Sequence, residues 1–254
     1  MKKLWIVLLT LLLASCGGNP SPKSTGVADT LFAEGLPVAV TVIPAETSRP
    51  DTPTEARLRA MGLVDIAELD PSIDICMVYA TPDNFMGRVL YDDLHKAFML
   101  PATAEKLMAA QRMLRKLHPE YSIRLYDAAR PMSVQQQMWN LVKGTDKRDF
   151  VSNPARGGGL HNYGAAVDVT IIDPATKLLI LDMGSPYDYF GDEARVSLEA
   201  QLLRQGRITQ VQLDNRLLLR KVMTESGFRV LPAEWWHFNL LTREEARRTL
   251  PLIE

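Results

Sequence analysis

Two short stretches of this 254-residue chain gather residue types that can bind a metal ion and move a proton. The first is Gly157-Gly158-Gly159-Leu160-His161-Asn162-Tyr163-Gly164-Ala165-Ala166-Val167-Asp168-Val169-Thr170. A glycine-rich loop runs into a strand on which Val167, Val169 and Ile171 take one face and Asp168 and Thr170 the other. A carboxylate inside an apolar strand is costly unless it is paired or bound to metal. The glycines let the backbone bend so that His161 reaches back toward Asp168. The second stretch is Pro232-Ala233-Glu234-Trp235-Trp236-His237-Phe238-Asn239-Leu240. Pro232 argues against a helix here. With His237 opening a strand, Glu234 falls in the loop before it. Beside tryptophans its carboxyl loses hydration, so its pKa is expected to rise toward a general-base value.

Together the stretches offer two histidines and one aspartate as ligands, with a separate glutamate. Catalytic zinc commonly takes three protein ligands and leaves a fourth position open, with a carboxylate nearby to move a proton. Taken singly, a strand aspartate reads equally well as an ion-pair residue, and a histidine near tryptophan as packing. Both clusters in a chain with only four histidines point to one centre. A third element is Tyr126-Asp127-Ala128-Ala129-Arg130-Pro131. Pro131 biases Arg130 toward an extended conformation at a strand end. A cation there could stabilise a developing oxyanion; without the other elements it would read as a surface arginine.

The elements that must position these residues are legible from periodicity. Ala104, Leu107, Met108, Ala110, Met113, Leu114 and Leu117 recur at helical spacing, predicting a helix over Pro101 to Leu117. Ser133 to Leu141 reads as a second helix with Ser133 as its N-cap. Leu213 to Ser226 reads as a third, stopped by Gly227. Thr242, followed by Glu244 and Glu245, caps a short terminal helix. Strand-like runs cover Ile73 to Ala80, Ser122 to Ala128, Ala166 to Ile172 and Trp236 to Leu240. Helices and strands do not alternate strictly. The expectation is an α+β domain with a small, mainly antiparallel sheet flanked by helices.

The N-terminus carries a different kind of signal. Met1-Lys2-Lys3 precedes the apolar run Leu4 to Ala14, too short to span a bilayer and suited to a signal peptide. Leu13-Ala14-Ser15-Cys16 resembles the bacterial lipobox, whose cysteine becomes the lipidated first residue; the alternative is an ordinary secretory signal. Residues 1–15 are thus expected to be a signal peptide, and residues 16–56, rich in Pro, Ser, Thr, Gly and Ala, a lipidated cysteine and tether reaching roughly 35 Å. The domain is expected over residues 57–254, exported and membrane-anchored through lipid, facing the periplasm. With Cys16 acylated, Cys76 has no disulfide partner and reads as a buried thiol. A net charge of -1 and the absence of a basic block argue against nucleic acid, and no obligate protein partner is evident.

With these motifs in view, the chain resembles the vancomycin-resistance type of D-alanyl-D-alanine dipeptidase, within the wider group of zinc D,D-peptidases. The family pattern Ser-x-His-x-x-Gly-x-Ala-x-Asp aligns with Gly159 to Asp168, Glu-x-Trp-His with Glu234 to His237, and a strand ending in Arg-Pro with Arg130-Pro131. Further similarity lies in Tyr79 to Gly87, Asp182 to Asp188, and Asn215 to Arg229. The resemblance covers about Asp74 to Leu241. It implies one zinc ion bound by His161, Asp168 and His237, Glu234 as general base and Arg130 as the stabiliser of the transition state. It also implies that Asp188, with Tyr79, receives the ammonium of a dipeptide such as D-Ala-D-Ala. The family serine at position 159 is glycine here, which puts fine specificity in question. Two other functions fit the motifs: a peptidoglycan D,D-carboxypeptidase or endopeptidase, and a non-catalytic zinc-binding wall lipoprotein.

Overall fold

The structure is a computed structural model that describes residues 49–175 and 179–254. The expected signal peptide, Cys16 and most of the expected tether lie outside the described residues. Among the described residues no helix is long and apolar enough to cross a membrane.

Among the described residues, seven helices flank a six-stranded sheet, and two further strands pair as a separate ribbon. The helices are α1 (Pro53–Ala60), α2 (Ile66–Leu69), α3 (Pro101–Leu117), α4 (Met132–Val142), α5 (Glu199–Arg204), α6 (Gln210–Glu225) and α7 (Arg243–Thr249). The ribbon pairs β1 (Val64–Asp65) with β3 (Phe98–Met99). The main sheet runs β2 (Asp74–Ile75), β4 (Ser122–Asp127), β5 (Ala166–Asp173), β8 (Glu234–Asn239) and β7 (Arg229–Leu231). The short β6 (Leu179–Ile180) also pairs with β5. Every pairing is antiparallel except β2 with β4, so the expected α+β architecture with a mainly antiparallel sheet holds.

Capping explains the helix boundaries, and it moves several of them. Helix α1 opens on a reciprocal capping box between Thr52 and Glu55, with a proline in its first turn. It therefore starts inside the stretch that composition marks as tether. Glu55 is fully buried and accepts hydrogen bonds from Arg49, from the Thr52 amide and from the amides of His95 and Lys96. Helix α3 has the expected bounds and buries Ala104, Leu107, Ala110 and Leu114. Helix α4 starts at Met132, with Pro131 rather than Ser133 at its cap. Helix α6 starts at Gln210 because Thr209 and Gln212 form a capping box.

The run Ile73 to Ala80 is a strand only at Asp74–Ile75. The Cys76 amide still bonds to the Leu125 carbonyl (2.9 Å), and the chain then tightens into a 3-10 turn at Val78–Ala80. That turn buries Tyr79. Cys76 is buried as expected, and burial pushes its thiol up to about 11.

Candidate active site

Strand register assembles the centre. On three neighbouring antiparallel strands Asp127 of β4 lies opposite Asp168 of β5, which lies opposite His237 of β8. Directly opposed residues on one face carry neighbouring side chains, so three ionisable groups separated widely in sequence form one row.

His161 joins this row from a 3-10 turn, Leu160–Tyr163, just before β5. Gly164 closes the turn at φ +66°, and its carbonyl accepts from the Leu100 amide (3.0 Å) and the Thr103 hydroxyl (2.9 Å). A Cβ there would lie 2.8 Å from the Leu63 side chain, so both conformation and space require glycine. The Arg130 amide donates to the His161 carbonyl (3.0 Å), and the Asn162 side-chain amide donates to the Arg130 carbonyl (2.8 Å). The histidine turn and the arginine are therefore built as one unit.

Three inward atoms converge. His161 Nε2 lies 3.2 Å from Asp168 Oδ1 and 3.1 Å from His237 Nδ1, and His237 Nδ1 lies 2.9 Å from the same Asp168 oxygen. All three residues are buried. The outer ring nitrogens are engaged: His161 Nδ1 bonds to the Ala128 carbonyl (2.7 Å) and His237 Nε2 to Asn239 Oδ1 (2.8 Å). Since the Ala128 carbonyl can only accept, and Asn239 Oδ1 likewise, the outer nitrogens carry the protons and the inner ones face each other as lone pairs. Two lone pairs and a carboxylate oxygen within about 3 Å repel unless a cation sits among them. A tetrahedral ion with metal–nitrogen bonds of about 2.0–2.1 Å has ligand-to-ligand edges of roughly 3.3 Å, close to the separations here. The donor set fits a metal ion. Among the described residues it is the one cluster that could hold one.

The surrounding groups are set by burial and charge. Burial would raise the Asp168 carboxyl, and only positive charge at the His161 and His237 nitrogens that face it, carried by a proton or a bound cation, holds it well below the usual carboxylate range. The Tyr187 hydroxyl donates to its other oxygen, Oδ2 (3.0 Å). Glu234 opens β8 instead of lying in the preceding loop, which corrects the expectation from sequence. It is buried, with one carboxyl oxygen 3.9 Å from His237 Nδ1. Burial pushes its pKa up to about 8, aided by the charges of Asp168 and Asp188.

Arg130 is fixed on two sides. Its Nε and Nη2 donate to Asp127 Oδ2 (2.9 and 2.6 Å), and its Nη1 donates to Gln135 Oε1 (3.1 Å). Its guanidinium stands 5.1 Å over the Tyr79 ring, and Nη2 lies 3.8 Å from Asp168. Asp127 is fully buried and also accepts from the Tyr91 hydroxyl (2.6 Å). Asp188 is half-buried at φ +60°, and Tyr79 donates its hydroxyl to it (3.0 Å). All seven residues singled out in the domain, His161, Asp168, His237, Glu234, Arg130, Asp188 and Tyr79, line one cavity, and Tyr187 links Tyr79 to Asp168 by hydrogen bonds to both.

Residues 59–252 match the family model described as D-ala-D-ala dipeptidase. The chain belongs to that family. It is 31% identical over 182 residues to a D-alanyl-D-alanine dipeptidase of Escherichia coli, covering 70% of this chain and 84% of that one. It is 25% identical over 177 residues to one of Enterococcus faecalis (64% and 83%) and 27% identical over 179 residues to one of Enterococcus faecium (64% and 83%). This D-ala-D-ala dipeptidase family member is a peptidase of that kind.

Four residues that support the site were not singled out from the sequence. Asp127 obeys the same logic as Asp168, an acid in an apolar strand, and could have been found that way. Asn239 shares a face with His237 two residues on. Gln135 and Tyr187 are ordinary residue types whose roles come only from what they touch.

Proposed function

We propose that the protein is a zinc-dependent exopeptidase that hydrolyses D-Ala-D-Ala or a similar free dipeptide. The observation that carries this reading is the convergence of His161 Nε2, Asp168 Oδ1 and His237 Nδ1 with their outer partners already engaged. Zinc held there would supply Lewis acidity toward the peptide carbonyl and toward water. Glu234 would take the proton of the attacking water and deliver it to the departing amine as the C–N bond breaks. Its raised pKa keeps both protonation states accessible near neutral pH. Arg130, held rigid by Asp127 and Gln135, would donate to the oxyanion that develops on the carbonyl. Asp188 and Tyr79 would receive the substrate's ammonium.

The test is an assay of metal-replete protein against D-Ala-D-Ala, L-Ala-L-Ala and a pentapeptide ending in D-Ala-D-Ala, with zinc measured by elemental analysis. Cleavage of D-Ala-D-Ala and about one zinc per chain, lost in His237→Ala, are expected. Preference for the pentapeptide would transfer the reading to a wall carboxypeptidase. Unchanged zinc in the variant would overturn the metal assignment.

We also propose that the chain is exported and anchored in the membrane, facing the periplasm, by lipid on Cys16. Support comes from Met1-Lys2-Lys3, the apolar run after it and Leu13-Ala14-Ser15-Cys16. The native protein's intact mass should begin at a lipidated Cys16; a species beginning at Met1 would contradict this.

A further inference from the structure

We infer that Tyr187 is a positioning residue for the metal centre: its hydroxyl holds the second oxygen of Asp168, so that the aspartate offers the metal one oxygen and leaves a coordination position open. The inference deepens the zinc exopeptidase reading above and rests on its metal assignment.

The two oxygens of Asp168 face different partners. Oδ1 meets the inward nitrogens of both histidines, His161 Nε2 at 3.2 Å and His237 Nδ1 at 2.9 Å. Oδ2 meets the Tyr187 hydroxyl at 3.0 Å. Among the described residues that hydroxyl is its one hydrogen-bond donor. Arg130 Nη2 stands 3.8 Å from Oδ2 and gives its hydrogen bond to Asp127 instead (2.6 Å). A carboxylate can bind a metal through one oxygen or through both. Catalytic zinc takes three protein ligands and leaves the fourth position to water. A second oxygen from Asp168 would compete for that position. The hydroxyl opposes this by giving Oδ2 a partner of its own.

One hydroxyl carries one proton, and two acceptors compete for that of Tyr187: Asp168 Oδ2 and the Tyr79 hydroxyl, 3.2 Å away. A hydrogen bond to an ionised carboxylate is roughly twice as strong as one between neutral groups. The Tyr187 proton therefore goes to Asp168, while Tyr79 gives its own to Asp188 (3.0 Å).

The local fold is committed to this contact. Tyr187 precedes Asp188, whose φ of +60° makes it the one non-glycine residue at positive φ among the described residues. Such a conformation is strained and persists only where the surroundings enforce it. Here two successive side chains enter one network, Tyr187 reaching Asp168 and Asp188 reaching Tyr79. The Tyr187 ring packs against Tyr126 (centroids 4.6 Å apart) and Trp236 (5.4 Å). Tyr187 is not among the residues that line the cavity, so it acts through Asp168 and not on the substrate.

The test is Tyr187→Phe, which keeps the ring in its packing and removes only the hydroxyl. Metal affinity, measured by competition with a chromophoric chelator, should fall about ten- to a hundredfold, the usual cost of losing a group that orients a metal ligand. Cobalt(II) in place of zinc reports the coordination directly, because its visible absorption weakens when a four-coordinate site gains a further ligand. The wild type should show the strong four-coordinate absorption and Tyr187→Phe a weaker one, as Oδ2 joins the coordination. Tyr126→Phe, which trims a hydroxyl from the same aromatic packing, should match the wild type in both readouts. An affinity or a cobalt spectrum unchanged in Tyr187→Phe overturns the inference. So does a weak wild-type absorption, or the same changes in Tyr126→Phe. Both readouts are taken without substrate, so the inference and the function fail separately. The expected changes in a protein that cleaves no dipeptide sink the dipeptidase and leave the role of Tyr187. Cleavage with an unchanged spectrum does the reverse. A wild type that binds neither metal overturns both.

Discussion

Acetylating the amino group of D-Ala-D-Ala removes the charge that Asp188 would meet, and the structure gives the size of the penalty and its pH dependence. Leaving one member of a buried ion pair without its partner costs about 3–5 kcal/mol. Asp188 is only half-buried, which puts it at the low end, about 3 kcal/mol. The carboxyl has an escape, however. Burial, aided by the charge of Asp168, pushes its pKa up to about 8. Below that value it can face a neutral ligand as the protonated acid, while pairing with an ammonium requires it to ionise. At pH 7 that ionisation costs about 1.4 kcal/mol, one pKa unit. The net preference for the free dipeptide at pH 7 is then about 1.6 kcal/mol, roughly fifteenfold in kcat/KM. At pH 6 ionisation costs about 2.7 kcal/mol and the preference shrinks to less than about twofold. The sign is fixed: discrimination rises with pH from 6 toward 7.5, before the dipeptide's own amino group loses its proton. The assay is the kcat/KM ratio of D-Ala-D-Ala to N-acetyl-D-Ala-D-Ala at half-unit steps of pH, in which titrations shared by both substrates cancel. Asp188→Asn should flatten the profile. Equal rates at every pH, or a ratio that does not move with pH, would refute the reasoning and favour a carboxypeptidase open on the amino side.

Two further outcomes follow from other parts of the molecule. Burial would raise the Glu55 carboxyl, but Arg49 and the amides of Thr52, His95 and Lys96 overcome it and lower its pKa from 4.5 to about 2. That depression corresponds to up to about 3 kcal/mol of stability, present above about pH 4.5 and lost as pH falls toward 2. Glu55→Gln should therefore destabilise by about 2–3 kcal/mol at pH 7 in denaturant unfolding, with the gap to wild type closing between pH 4.5 and 2; a gap constant over that range would contradict it. Asn239→Ala removes the acceptor that fixes the His237 ring, so zinc affinity measured by competition with a chromophoric chelator should fall about ten- to a hundredfold. Unchanged affinity would show that the ring is held by packing alone.

How much of this was legible in the sequence depends on where each residue's signal resides. The helix over Pro101–Leu117 keeps its expected bounds because its apolar stripe and its first-turn proline are local. Starts were missed where the deciding contact is a cap: Thr209 with Gln212 opens α6 three residues before the apolar pattern does. The run Ile73 to Ala80 misled because a buried turn is as apolar as a buried strand, and periodicity does not separate them. The fold class survived these errors, since it needs only the number and kind of elements. The site divides along the same line. His161, Asp168, Glu234 and His237 announce themselves because polar groups in apolar or aromatic runs are anomalies that demand a partner. What the sequence withheld is the register that places Asp127, Asp168 and His237 in one row. That register is a long-range property of the sheet. Once it is known, the partners become derivable: a row of acids and imidazoles needs a cation, and the arginine beside it needs anchors. Asp127 and Gln135 are those anchors. Ser152, whose carbonyl accepts from the Gln135 side-chain amide, stands one contact further out, where the sequence carries no signal of the role.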